Sequence, residues 1–326
     1  MKKIQLLKTA LTLILTLSML AGCSNNSDVK TVAIIQYVEH TSLNTIKDAF
    51  DSQMEALGYK DGENINYIFK NAQGDNNTAA SIIQEFKGSN VDVIMAIATP
   101  VAQAAAPVAQ DIPVVFAAVS DPVGANLTTT LESPDKNITG TSDEIQVELI
   151  LEKALEVNPQ LKKLGVIYNK GEANSVTNIN KAKAFAKENN IEIVEATITS
   201  VNEVQSAIQV LNTKCDAVFA PNDNTVASAI NIVGSACAKT NIPLYVGADS
   251  MVVDGGFLSV GINYEELGKE TANMVDQVLK GESINNIPVK VFKDNLNIYV
   301  NEDVLNQLNI ELPDSIKNDE SFVLVK

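Results

Sequence analysis

Six short polar turns hold most of the side chains in this sequence that could do chemistry. They are 37–40 with Tyr37, Glu39 and His40; Thr99-Pro100; Ser120-Asp121; 169–175 with Asn169, Asn174 and Ser175; Asn222-Asp223-Asn224; and Asp249-Ser250. Each mixes hydroxyls, amides or carboxylates just ahead of a run with helical period. Taken singly, such a turn reads as a helix N-cap, because Ser, Thr, Asp and Asn are the preferred caps, worth ~1 kcal/mol. Taken together, 169–175 and 222–225 carry more polar groups than capping uses. The chemistry on offer is hydrogen-bonded capture of a small polar molecule.

Catalysis is poorly provided for. His40 is the single imidazole, and no Gly-x-Ser-x-Gly turn stands ready to pair with it. Gln36-Tyr-Val-Glu-His40 occupies the place after the first strand where a phosphate-binding loop would need glycines. All 24 Lys+Arg positions are lysine, and tryptophan is absent. A bidentate guanidinium clamp is therefore impossible, and any anion must rest on backbone N–H groups, hydroxyls, helix N-termini or lysine. The net charge of −16 argues against nucleic acid as a partner. No cofactor motif and no metal-ligand spacing is present. Cys215 and Cys237 read either as a disulfide or as two buried small hydrophobes.

The elements that must position these turns alternate. Strand-like apolar runs at 31–36, 65–70, 91–97 and 113–118 are separated by runs of helical period at 42–57, 76–87 and 99–109. Such βαβα order implies a parallel sheet with helices on both faces. After about Thr141 the order restarts, with strands at 163–168, 191–196, 216–220 and 243–248 and helices at 175–189, 203–211 and 225–240. The halves also echo each other in sequence. Ile112-Pro-Val-Val-Phe-Ala-Ala-Val-Ser120 resembles Ile242-Pro-Leu-Tyr-Val-Gly-Ala-Asp-Ser250 at equal spacing. Past Gly255 come a strand at 257–262, a helix at 265–279 and one or two strands within 289–300, a tail able to cross back between lobes. Ligands bind beyond the carboxyl ends of strands in open α/β sheets. Two facing lobes would therefore line one cleft with all six turns.

The first 22 residues read as a secretory signal: Lys2, Lys3 and Lys8, a short apolar run, then Leu20-Ala21-Gly22 before Cys23. The apolar run is short for a transmembrane span, which needs ~20 residues. Cys23 after Leu-Ala-Gly resembles the acylation site of a bacterial lipoprotein, followed by a polar tether over 23–30. The expected location is the extracytoplasmic face of a membrane, held by lipid.

Several stretches together resemble one family. They are this lipobox, Ala-Thr-Pro-Val-Ala-Gln-Ala at 98–104, Pro-Val-Val-Phe-Ala-Ala-Val-Ser-Asp-Pro-Val at 113–123, and Leu-Gly-Val-Ile-Tyr-Asn at 164–169 with Glu172-Ala-Asn-Ser175 behind it. They look like the solute-binding lipoproteins of ABC transporters, in the group with tryptophan/tyrosine-type binding proteins. The resemblance implies an α/β fold of two Rossmann-like lobes with parallel sheets, joined by a hinge of three crossovers (periplasmic-binding-protein class I). By analogy, the N-terminal lobe would be 31–143 plus 264–282 and the C-terminal lobe 144–263 plus 283–326. It further implies no enzyme activity, a monomer, an aromatic or other hydrophobic amino acid as ligand, and delivery to an ABC permease with its ATPase. The alternatives are another small solute such as a purine or, in a different class, a lipid-anchored hydrolytic enzyme. For an amino acid, Thr99 and Ser120 would take the carboxylate, Asp249, Asp223 or Asn222 the ammonium, and Tyr37, Tyr168 or Val119 the aromatic side chain. Asp121, Asn174 and Ser175 complete the expected ligand-binding set.

Overall fold

In the computed structural model, which describes residues 29–326, the apolar runs form strands and the amphipathic runs cover them. The leader, Cys23 and most of the tether lie outside the described residues. β1 (Lys30–Gln36), β2 (Ile65–Asn71), β3 (Val93–Ile97), β4 (Val114–Ala117) and β5 (Ile138–Ser142) pair in parallel in the order β5-β4-β3-β1-β2. Every residue of β3, β4 and β5 is buried, as a parallel sheet covered on both faces requires. β6 (Lys163–Asn169), β7 (Glu192–Ile198), β8 (Ala217–Ala220), β9 (Leu244–Val246) and β10 (Leu258–Gly261) build a second parallel sheet in the order β10-β9-β8-β6-β7. β12 (Asn297–Asn301) adds antiparallel to β10, and β13 (Phe322–Val325) lies parallel to β12.

The chain passes between lobes at 143–146, at 262–263 and at 292–296. The third crossing departs from the expected boundary at 283. β11 (Lys290–Val291) pairs with β5 at the edge of the first sheet. Ahead of it, the Thr139 hydroxyl donates to the Ile287 carbonyl (2.6 Å) and Val289 N–H to the Leu131 carbonyl (2.8 Å). Two strand residues flanked by irregular chain carry no periodic signal, so the segment 283–291 gives no local sign of which lobe it joins. The helix Tyr264–Leu279 lies against the helix Thr41–Ala56, and a Cβ at Gly268 would stand 2.5 Å from the Ile46 carbonyl. That close approach binds the returning segment to the first lobe.

One buried apolar cluster runs from Val32–Ile35 in the first lobe through to Val226, Met251 and Val252 in the second. The lobes therefore stand closed on each other. A second cluster fills the outer side of the second lobe around Leu151, Val166, Phe185, Tyr245 and Phe257. Each such side chain taken fully out of water contributes ~1.5–3 kcal/mol. Cys215 and Cys237 are free thiols in this interior; they donate to the Leu211 carbonyl and to Asn212 Oδ1 respectively. Among the described residues no helix is long and apolar enough to cross a membrane.

Candidate functional site

The first crossing begins at a buried acid. Asp143 follows β5 and is 4 % exposed. Its carboxylate accepts from Ser120 Oγ in the turn after β4 (3.0 Å), from Asn222 Nδ2 after β8 (2.7 Å) and from the Tyr264 hydroxyl at the second crossing (3.0 Å). Asn222 Nδ2 also reaches Ser120 Oγ (2.9 Å). Two crossings and both lobes thus meet on one carboxylate. Burial raises its pKa to about 6, against the pull of these three donors. No lysine lies within ion-pair distance of it among the described residues. A carboxylate has about four acceptor sites, so Asp143 retains capacity for one more donor.

Behind Asn222 stands a second buried acidic group. Asp223 caps the short helix Asn224–Ala227 by accepting from Val226 N–H (2.8 Å), and it also accepts from Asn169 N–H (2.6 Å) and Ser175 Oγ (2.7 Å). Glu172 accepts from both the backbone and the side chains of Asn224 and Thr225 at 2.6–3.0 Å. Burial, then the charge of Asp223, pushes Glu172 up to about 8. This layer braces the turn 222–225 against 169–175 and leaves Asp223 with no exposed surface.

Between the lobes, His40, Ser42, Leu43 and Ala118 face Asn174, Asn222, Asn224, Ala227 and Met251, with Asp143 and Tyr264 at the hinge side. They enclose a cavity of about 20 Å³, room for one water and not for an amino acid. Three consecutive residues of the first lobe hold it shut. His40 Nε2 lies 3.2 Å from Asn224 Oδ1, the Thr41 hydroxyl donates to Asp254 (2.6 Å), and the Ser42 and Ser250 hydroxyls are bonded. Burial lowers His40 to about 4, so it is neutral at neutral pH. Its side chain does not cap the helix Thr41–Ala56 that it precedes, and Ser42 and Leu43 of the first turn line the cavity. Two buried polar atoms on opposite lobes, Thr99 Oγ1 and Asn174 Oδ1, have no hydrogen-bond partner.

Of the expected site residues, Asn174 and Asn222 line the cavity, Ser120 bonds Asp143 and Asn222 beside it, and Thr99 is buried at the start of the helix Thr99–Ala105. Ser175 and Asp223 belong to the bracing layer. Tyr37 is buried with its hydroxyl on the Gly74 carbonyl (2.9 Å). Asp249 opens the helix Asp249–Val253, accepts from Ser250 N–H (2.7 Å), and is raised to about 6 by burial. Asp121 closes its own turn onto Gly124 N–H (2.8 Å). Tyr168 points away, into the outer cluster, with its hydroxyl on Glu195 (2.9 Å). Val119 is buried in the first-lobe core. Asn224 and His40 reach the cavity from two of the expected turns, and the residues not foreseen are Asp143, Tyr264, Ser42, Leu43 and Met251. The polarity of 138–142 hid β5 and so hid Asp143.

This geometry has close counterparts. Residues 31–322 match the family described as ABC transporter substrate binding protein. A tyrosine-binding protein of Clostridioides difficile (strain R20291) is 39 % identical over 312 residues, covering 91 % of this chain and 90 % of that one. The crystal structure of an ABC domain in complex with L-Trp from Streptococcus pneumonia superposes with a TM-score of 0.86 at 33 % identity, over 91 % of this chain and 99 % of the other. The ligand-free, open structure of a substrate binding protein with adhesive properties from Clostridium difficile is more similar in sequence, 41 %, over 91 % of this chain and all of that one, yet superposes at only 0.67. The order of the two scores agrees with the closed lobes seen here. With the match spanning nearly all of the described chain and two parallel-sheet lobes of the periplasmic-binding-protein type, this protein is a solute-binding component and not an enzyme: it belongs to the ABC transporter substrate binding protein family.

Proposed function

We propose that this protein captures a free aromatic amino acid, tyrosine or tryptophan, between its lobes and hands it to the permease of an ABC importer. In this reading it works outside the cytoplasm, tethered by lipid on Cys23. The observation that carries the ligand class is Asp143, a buried carboxylate with spare acceptor capacity and, among the described residues, no lysine within ion-pair distance. An amino acid's ammonium is a complementary partner. With no arginine in the chain, the ligand carboxylate falls to the first-turn N–H groups of the helix Thr41–Ala56 and to Thr99. Leu43, Met251 and Tyr264 offer an apolar wall for a ring. In this reading the lobes part to admit ligand, a hinge motion that the 20 Å³ cavity supports.

A thermal-shift screen of the twenty amino acids and the common purines tests the ligand. Tyrosine or tryptophan at 100 times its Kd adds ~2.7 kcal/mol, a rise of about 5 °C for a chain of this size. A shift with a purine and with no amino acid overturns the ligand class. Tyr168→Phe separates the site from its surroundings: affinity stays within twofold by calorimetry, while stability falls by ~1 kcal/mol as the bond to Glu195 is lost. Cys23→Ala in cells moves the protein from the membrane fraction to the soluble one with ligand affinity unchanged. Membrane retention of that variant argues against the lipid tether.

A further inference from the structure

Two alanines stand where backbone geometry favours glycine. Ala98 has φ 91° and ψ 157°, and Ala118 has φ 55°. Among the described residues the other non-glycine positions with positive φ are asparagines, apart from Gln73. Asparagine tolerates the left-handed region; alanine is strained in it. Ile97 lies opposite Ala117 in the β3–β4 pair, so the two alanines are neighbours, each one step past a strand end. Both are buried. The Ala98 peptide is tied on both sides, its N–H to the Ala117 carbonyl (2.9 Å) and its carbonyl to Ala102 N–H (3.2 Å). Strained residues persist where their surroundings over-determine them, and they cluster at functional sites.

Ala118 stands at the cavity itself, and Ala98 precedes an unpartnered buried hydroxyl. Thr99, next after Ala98, has a buried hydroxyl with no hydrogen-bond partner. Ala118 lines the cavity; Val119 N–H then bonds the Thr141 carbonyl (3.2 Å), and Ser120 bonds Asp143. We propose that Ala98 and Ala118 are positioning residues, whose methyl groups hold two strand-end backbones in one direction and so aim the Thr99 hydroxyl and the Ser120 turn at the cleft. This rests on the reading of the cleft as an amino-acid site. Glycine at either position relieves the strain and loosens the aim, and ordering a loosened backbone on binding weakens affinity.

The test is Ala98→Gly and Ala118→Gly, singly and together, with Asn190→Gly as a control at a positive-φ turn outside the cleft. Without ligand, each alanine variant melts about 1–3 °C higher than the parent. Tyrosine or tryptophan binding by the double variant weakens roughly tenfold, while Asn190→Gly leaves affinity unchanged. A lower melting temperature overturns the strain. A higher one with unchanged affinity assigns the strain to the fold and overturns the positioning role. The melting arm needs no ligand. If the parent chain binds a different amino acid, the affinity arm runs with that one and only the choice of ligand fails. If it binds none, the cleft reading and the positioning role both fall.

Discussion

Replacing Asp143 with asparagine is expected to weaken tyrosine or tryptophan binding at least a hundredfold and to leave the lobes folded. The substitution keeps size and shape, and asparagine Oδ1 still accepts from two of the three neighbours, Ser120, Asn222 and Tyr264. What is lost is the charge that would meet the ligand's ammonium. Removing one partner of a buried, hydrogen-bonded charge pair costs ~2–5 kcal/mol of binding. The folded apo-protein behaves differently, because there the charge is a burden. The folded pKa of Asp143, about 6, lies above its ordinary value of 3.8. Stability is therefore greatest where the acid is protonated in both states. It falls as pH rises from about 4 to 6, by roughly 3 kcal/mol in all, and is level beyond. The asparagine variant lacks that component, which separates it from Asp249, also raised to about 6.

Binding in the parent chain has the opposite dependence. The ammonium needs the ionised acid, so affinity falls up to tenfold per pH unit below about 6. Calorimetry at pH 7.5 and 5.0 on both proteins reads both effects. An asparagine variant within threefold of parent affinity at pH 7.5 removes Asp143 from the ligand site.

That residue also marks where legibility ended. The first four strands and the helices between them are readable because their cores are runs such as Val32–Ile35 and Val93–Ile97, buried on both sides. β5 reads Ile-Thr-Gly-Thr-Ser, with one large apolar residue, yet all five are buried. Its hydroxyls are satisfied at a distance: Thr139 by Ile287, Thr141 by Thr271, Ser142 by the Ser120 carbonyl. Partners so far along the chain leave no local trace, so the acid after β5 stayed outside the set of turns. Asp223 shows the other limit. A cap and a ligand-binding carboxylate look alike in sequence, and only the bonds to Val226, Asn169 and Ser175 distinguish them. Tyr168 failed for a third reason. A strand buried on both faces lacks the polar alternation that tells cleft from core.

Gly140→Ala is expected to cost about 3–5 kcal/mol, a third or more of the stability of an ordinary domain. Gly140 is the middle residue of β5 and lies opposite Phe116 in β4. A Cβ there would stand 2.0 Å from the Phe116 carbonyl oxygen and 2.6 Å from its ring carbon Cδ2. Phe116 has no exposed surface, and a carbonyl in a central strand cannot retreat without moving the sheet. The methyl must therefore prise β5 from β4. β5 holds β11 on its other side and is followed directly by Asp143, so the same displacement disturbs the returning segment and the carboxylate on which both lobes meet. Gly58→Ala and Gly281→Ala provide the comparison. Both glycines have positive φ, 94° and 90°, but nothing lies within 4 Å of an added Cβ; each loses ~1 kcal/mol through backbone strain alone. Thermal melts should place Gly140→Ala about 6–9 °C below the parent and the controls within about 2 °C. If all three fall equally, the β4–β5 contact has enough slack for a methyl. If Gly140→Ala alone collapses, and its residual folded fraction binds ligand weakly, then the glycine that closes this sheet also sets the acid in the cleft.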